Sequence, residues 1–285
     1  MNLSPNFSQT FLPDRRLISL LVTFAEKGGG GNKREISELT GIPTGESTGK
    51  VEPIIYFSFA MGLIKASNDK GVWRLELSDL GSVVIKEDRY LKESVTLWLV
   101  HLLLCRRQNL QDPPKGYADA WFTLFADGKY RLPETFLRGD FQKLLLERYG
   151  DTSYLTSLSG VVLNMYFEDA CMAKAKVLVK SDVVEGGFIK QPAPTDMSFY
   201  PAYAAYLYLL WDDYFIQETQ ISLRDFAEKT YCFAIMGWND LAIEHWLTWM
   251  VDKGFLQIDR YTGSPIILRL ESTQKVLDAI YSELI

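Results

Sequence analysis

The sequence predicts a mainly α-helical protein with small β-hairpin wings, in which two winged helix-turn-helix units, 1–85 and 195–285, are joined by a helical middle region, 86–194. Three observations carry this prediction. The order helix, helix, tight turn, helix, hairpin runs through the first segment, the same order returns in the last, and apolar runs of helical length dominate the stretch between them.

In the first segment, Leu17, Leu20, Leu21 and Phe24 recur at helical spacing on one face of a helix over 15–27, and the run Gly28 to Gly31 ends it as a flexible joint. A second short helix follows in 32–41, with Asn32 as N-cap, Glu35 completing a capping box, and Ile36 and Leu39 facing inward. Gly41 to Gly45 is a turn. The third helix starts near Ser47 and carries Ile54, Ile55, Phe57, Phe59 and Met61 up to Gly62. Pro53 either kinks this helix or sits near its first turn. Leu63 to Ala66 and the alternating run Val72 to Leu77 then flank the polar turn Ser67 to Gly71 as a hairpin.

The middle region reads as a strong helix over 92–107, a second over 140–149, and a long apolar stretch from Tyr154 to Met172. A further helix over 203–215 feeds the last unit. Gly186-Gly187 and Gln191-Pro192-Ala193-Pro194 mark the clearest linker, with a softer boundary near Ile85. In the last segment Ser222 caps a helix over 223–233, Gly237 sits in a turn, and Asn239 caps a helix holding Leu241, Ile243, Leu247 and Met250 up to Gly254. Phe255 to Ile258 and Ile266 to Leu270 form a hairpin, and a closing helix runs over 273–284. The two outer units share architecture and not sequence.

The chain has 285 residues, 47% hydrophobic and 23% charged, a balance that excludes a largely disordered or collagen-like protein. No run reaches the roughly 18 uncharged apolar residues that span a bilayer. The nearest, Ser94 to Cys105, is flanked by charge and reads as a buried helix. Cys105, Cys171 and Cys232 are too scattered for a disulfide framework, and the N-terminus lacks a basic start followed by an apolar run. These features point to a cytoplasmic protein. The net charge of −6 argues against bulk attraction to nucleic acid, but it is unevenly placed. Residues 1–85 carry nine Lys/Arg against nine Asp/Glu, 86–194 fifteen against fourteen, and 195–285 six against thirteen. The acidity therefore belongs to the last unit alone.

A helix-turn-helix reading places Thr44, Ser47, Thr48 and Lys50 at the exposed N-terminal end of the third helix, where a recognition helix enters the major groove. Lys33 and Arg34 on the preceding helix, with Lys70 and Arg74 in the wing, flank the same face and supply phosphate contacts. Glu46 and Glu52 beside Lys50 favour the rival reading, a winged helix that binds only protein. In the acidic unit the helix that begins at Asn239-Asp240 carries Glu244 and Asp252 with only Lys253 opposed and would repel phosphate, so Trp238, Trp246 and Trp249 are read as core or as a docking surface for a partner protein.

Catalytic and cofactor signatures are weak. Gly45 to Lys50 resembles a phosphate loop but has three residues between its glycines, not four, and Val51 where a Ser or Thr is needed. His101 and His245 lie apart, each amid apolar neighbours, and no His, Cys or Asp pattern has metal-ligand spacing. His101 and Cys105 share one helix face, yet burial would make that thiol inert. Glu87-Asp88 and Glu168-Asp169 read as solvated helix edges. No enzyme activity, metal or cofactor is expected.

Leu39-Thr40-Gly41-Ile42-Pro43-Thr44-Gly45, Ser47-Thr48-Gly49-Lys50-Val51, Tyr56 and Met61-Gly62-Leu63-Ile64 together resemble the N-terminal signature of the bacterial family catalogued as domain of unknown function 4007. Leu77-Ser78-Asp79-Leu80-Gly81, Asp88-Arg89-Tyr90-Leu91, Thr96 to His101 and Ala120-Trp121-Phe122 extend the resemblance over most of the chain. The family carries no established activity. Its members are often encoded beside DNA phosphorothioation or phage-defence genes, so the resemblance implies a DNA-associated accessory protein. The alternatives are a non-enzymatic scaffold whose winged helices bind partner proteins, and a transcriptional regulator.

Overall fold

Asp14 starts the first helix, α1 (Arg15–Glu26), by accepting the N–H groups of Arg16 and Leu17, and Leu17, Ile18, Leu21, Val22 and Ala25 face inward. The computed structural model describes residues 1–45, 48–260 and 263–284. Gly30–Gly31 is a strand, β1, where the sequence suggested a flexible joint. It pairs antiparallel with a later strand in the register Gly30↔Arg74, and a Cβ on Gly30 would lie 2.9 Å from the Trp73 carbonyl oxygen. Glycine is needed for that approach, which is why the strand carries no β-forming signature.

Helix α2 (Lys33–Thr40) has the expected capping box: Asn32 Oδ1 accepts from Arg34 and Glu35, and Glu35 Oε2 accepts from the Asn32 N–H at 2.8 Å. Ile36 is buried, whereas Leu39 is exposed and does not face inward. Helix α3 (Val51–Ala60) begins four residues after Ser47. The Gly45 N–H donates to the Thr48 carbonyl and the Lys50 N–H to the Pro43 carbonyl, so these groups are committed to non-helical bonds ahead of α3. Pro53 therefore occupies the first helical turn, where its missing N–H leaves no bond unmade. Strands β2 (Ile64–Asp69) and β3 (Val72–Leu77) form the hairpin, and the sheet order is β1-β3-β2.

Helix α4 (Asp79–Glu87) leads to α5 (Ser94–Leu104), which is buried from Val95 to Leu104. A helix apolar all round belongs in a core, and α5 packs there on the later helix α10. Helix α6 (Asp119–Phe122), a π-helical turn over Thr123–Asp127 and α7 (Gly128–Arg131) follow. Strand β4 (Thr135–Phe136), α8 (Arg138–Tyr149) and α9 (Leu155–Asn164) precede β5 (Leu178–Lys180) and β6 (Phe188–Lys190). These short strands make a second three-stranded sheet, β4-β6-β5, in a region read as purely helical. Gly186-Gly187 lies in its β5–β6 connection. The Gln191 to Pro194 segment is pinned, because the Ala193 N–H donates to the Met236 carbonyl and Trp238 Nε1 to the Ala193 carbonyl at 2.7 Å.

Helix α10 (Tyr200–Tyr214), β7 (Gln220–Ser222), α11 (Leu223–Thr230), α12 (Cys232–Met236), α13 (Asp240–Asp252), β8 (Leu256–Asp259), β9 (Ile266–Arg269) and α14 (Thr273–Asp278) complete the fold. Tyr231, at φ 60°, divides the expected single helix into α11 and α12. The closing helix ends at Asp278, short of the expected 284. Sheet order β7-β9-β8 repeats β1-β3-β2, so both outer units run helix, strand, helices, two strands, helix. Among the described residues about half are helical, and the three sheets they form are each small and antiparallel.

Two arginines at the end of α5 join the units. Arg106 donates to the Ala60 carbonyl of α3 at 2.6 Å, pairs with Asp213 at 3.4 Å, and lies 4.2 Å over the Tyr117 ring. Arg107 donates to the Lys229 carbonyl of α11 at 2.9 Å and accepts the Tyr214 hydroxyl through its own carbonyl. No described helix is long and apolar enough to cross a membrane.

Candidate nucleic-acid interface

The β2–β3 hairpin closes on Lys70 and Gly71, whose φ values of 51° and 89° are those of the two-residue turn that suits a twisted ribbon. Asn68 Oδ1 holds the turn by accepting the Gly71 N–H at 2.9 Å. Trp73 and Leu75 point into the core, so Val72, Arg74 and Glu76 face solvent opposite Asp69, Ser67 and Lys65. Lys65 and Arg74 offset Asp69 and Glu76, leaving Lys70 at the tip as the excess charge. Because Gly30 is the β3 partner of Arg74, the start of α2, with Lys33 and Arg34, is held beside Arg74. Four of the expected DNA-contacting residues, Lys33, Arg34, Lys70 and Arg74, thus gather around one hairpin.

Thr44, Thr48 and Lys50 form a separate group. Thr44 bridges to Gly49, Thr48 is exposed, and both precede α3 instead of lying on it; Ser47 falls outside the described residues. Lys50 is the N-cap of α3 without a side-chain cap bond. Its charge, with those of Asp14, Arg15 and Glu168, bears on the Cys171 thiol, which burial pushes up to about 12. Lys50 therefore lies within electrostatic reach of the buried Cys171, as do Asp14 and Arg15 at the N-terminus of α1.

The third helix itself cannot enter a groove. No residue of α3 is exposed. Phe7 of the N-terminal arm packs on Tyr56 and Phe57 at 6.1 and 5.0 Å, Trp121 on Phe57 at 5.6 Å, and Tyr117 on Phe59 at 5.8 Å. The expected exposed recognition helix is a core helix, covered by an arm and a middle region that local patterning does not bring together.

The three C-terminal indoles are core as well: Trp238, Trp246 and Trp249 are 6%, 1% and 7% exposed. Trp246 Nε1 donates to the Tyr200 carbonyl at 3.3 Å, and Tyr200 meets Trp249 at 5.7 Å. They present no docking surface. Helix α13 instead exposes Leu241, Glu244, His245, Thr248, Val251 and Asp252, with Glu244 paired to Arg260 at 2.6 Å. His245, despite its apolar neighbours in sequence, is on that outer face. The three-to-four spacing of these positions was the available signal, masked by the more conspicuous indoles.

The His101–Cys105 pair is sealed. His101 Nδ1 shares a hydrogen bond with the Tyr166 hydroxyl at 2.9 Å and lies 3.6 Å from Cys105 Sγ, while Trp98 and Phe125 close over the imidazole. Burial pushes His101 down to about 3 and raises the Cys105 thiol, so neither is the charged or nucleophilic form. Cys171 and Cys232 are buried and unpaired too. Asp88, read as a solvated edge, is buried and accepts the N–H groups of Lys92 and Glu93 before α5. Among the described residues, no group of three or more His, Cys, Asp or Glu is placed to hold a metal ion.

No protein-family model matches the sequence. No curated protein matches it either. Solved structures do share its fold. A crystal structure of SspB aligns over 97% of this chain and 87% of its own, with a TM-score of 0.68 at 16% identity. The magnesium ion-bound SspB structure aligns over the same shares with a TM-score of 0.67, also at 16% identity, so nearly the whole chain is similar in fold to SspB.

Proposed function

We propose that this chain is a DNA-associated accessory protein of a bacterial DNA-modification or phage-defence system, and that its N-terminal unit, read as a winged helix-turn-helix, grips the duplex by its phosphates. The observation that carries the reading is the β1–β3 register, Gly30↔Arg74, which sets Lys33 and Arg34 beside Arg74 with Lys70 at the hairpin tip. Enclosure of α3 removes the usual base-reading element, so the contact is to backbone and carries little sequence preference. Thr44 and Thr48 extend the contact as neutral hydrogen-bond donors, with Lys50 at its margin and outside the four cations that neutralise phosphate. The resemblance to domain of unknown function 4007 supplies the DNA-modification setting, and the fold shared with SspB is compatible with it.

A second reading, a protein-binding scaffold, is favoured by one observation. The α13 face is exposed and acidic where α3 is buried, and thirteen acids face six bases over 195–285. The two readings concern different ends of the molecule. Replacing Lys70 and Arg74 by Glu tests the first: fluorescence anisotropy at low salt is expected to show duplex affinity falling at least tenfold, as lost charge-assisted contacts imply. Unchanged affinity would remove the hairpin from the interface and leave the scaffold reading.

A further inference from the structure

A cleft of about 390 Å³ lies between the π-helical turn, β6 and the turn joining α12 to α13. Junctions between packed units are where small-molecule sites concentrate, and this volume is within their usual range. Phe125, Leu132 and Ile235 give it an apolar wall. Its polar groups are two lysines, Lys190 and Lys129, with Gln191 and the exposed Glu134.

Lys190 is unusual because it is largely buried and, among the described residues, no carboxylate forms an ion pair with it. Its ammonium donates to the Gly128 carbonyl at 2.7 Å and approaches the Leu124 carbonyl at 3.4 Å, both in or next to the π-helical turn. An ammonium has three N–H donors, so one remains for the cleft that the side chain lines. Gly128 packs closely in this seat: a Cβ there would lie 3.0 Å from Leu132 Cδ1, 3.2 Å from the Thr123 carbonyl oxygen and 3.4 Å from Lys190 Nζ. Burial pushes Lys190 down to about 8, and the Lys129 charge pushes it the same way. The α12 side contributes only Ala234, Ile235 and Gly237, none of them charged. Two cations thus face one cleft, repelling each other. A buried lysine is stable without a partner only at a cost that a hydrophobic residue would avoid.

We propose that this cleft binds a small molecule bearing an oxyanion, a phosphate or a carboxylate, clamped between the ammonium groups of Lys190 and Lys129, with its apolar body against Phe125, Leu132 and Ile235. The anion completes the hydrogen bonding of Lys190 and cancels the repulsion. Binding then favours protonated Lys190, so affinity falls as pH rises through 8.

Calorimetric titration of the full chain with AMP, with benzoate and with neutral adenosine tests the site. AMP or benzoate is expected to bind saturably at pH 7 and adenosine not; which of the two binds assigns the headgroup. Affinity drops about tenfold between pH 7 and pH 9, the change in protonated Lys190 for a group titrating near 8. Lys190→Met loses at least about tenfold in affinity. Lys129 is exposed, so Lys129→Gln keeps the fold and weakens binding even if the Lys190 variant does not fold. Absence of saturable binding by both anions, equal binding of adenosine, or full affinity in Lys129→Gln would each overturn the proposal. Duplex DNA affinity stays unchanged in Lys129→Gln, which separates this site from the N-terminal interface.

Discussion

Replacing His101 by Leu is expected to make the fold less sensitive to acid. In the native chain the imidazole is fully buried, held down to about 3 by desolvation, whereas the unfolded chain titrates near 6.5. A depressed folded value means that the unfolded state binds the proton first. The stability contributed by neutral His101 is therefore complete above pH 6.5 and is lost as pH falls from 6.5 toward 3. Between pH 7 and pH 4.5 that loss is about 2.5 kcal/mol, at about 1.4 kcal/mol per pH unit below the unfolded value. The figure is insensitive to the folded value so long as it stays below about 4, because at pH 4.5 the native imidazole is then still mostly neutral. Carboxylates contribute to the acid limb of both proteins and cancel in the difference. Urea denaturation of wild type and His101→Leu at the two pH values measures it directly. At pH 7 the variant is also weakened by about 1–2 kcal/mol, since the Tyr166 hydroxyl loses its imidazole partner. Equal pH dependence in the two proteins, within about 0.5 kcal/mol, would refute the reasoning and place a charged histidine in the core.

Other perturbations probe the framework. Trp246→Ala, at a 1% exposed position, should destabilise by about 3–5 kcal/mol in chemical denaturation, as expected of core and not of a docking residue. Asp119→Ala should cost about 3 kcal/mol or more by the same assay, because Asp119 accepts two bonds from Arg148 at 2.6 Å, one from the Tyr149 hydroxyl and one from the Gly116 N–H. Gly81→Ala should lower stability by at least about 3 kcal/mol, since the added Cβ would overlap the Leu63 carbonyl oxygen and only backbone movement relieves it.

Helices with local signals were legible. Asn32 and Glu35 announced α2, Asn239 announced α13, and the Val72 to Leu77 alternation announced β3, because a cap or a period-two pattern acts within a few residues. The strands β1 and β7 were not, and neither was the middle sheet. Each is two or three residues long and exists only because a distant strand supplies its hydrogen bonds, as Arg74 does for Gly30. The start of α3 was displaced for a different reason, since the bonds from the Gly45 N–H to Thr48 and from the Lys50 N–H to Pro43 are local but leave no mark in hydrophobic periodicity. Site residues followed the same rule. Lys70 and Arg74 could be placed on one hairpin from element order alone, whereas the approach of Lys33 and Arg34 on α2 depends on the β1–β3 pairing. That Phe7 and Trp121 cover α3 depends on packing between segments far apart in sequence. Lys190 carried no sequence signal, because only the cleft distinguishes it from other lysines.

The central claim is that the N-terminal unit holds duplex DNA by phosphate contact through Lys33, Arg34, Lys70 and Arg74. The salt dependence of binding to two duplexes of unrelated sequence tests it most directly. Four neutralised phosphates give a slope of log affinity against log salt of about −3.6, or roughly a hundredfold loss between 50 and 200 mM, and the same value for both duplexes. Replacing Lys70 and Arg74 by Ala halves the slope to about −1.8. A slope near zero, no binding at 50 mM salt, or affinities for the two duplexes that differ by more than about tenfold would contradict the account.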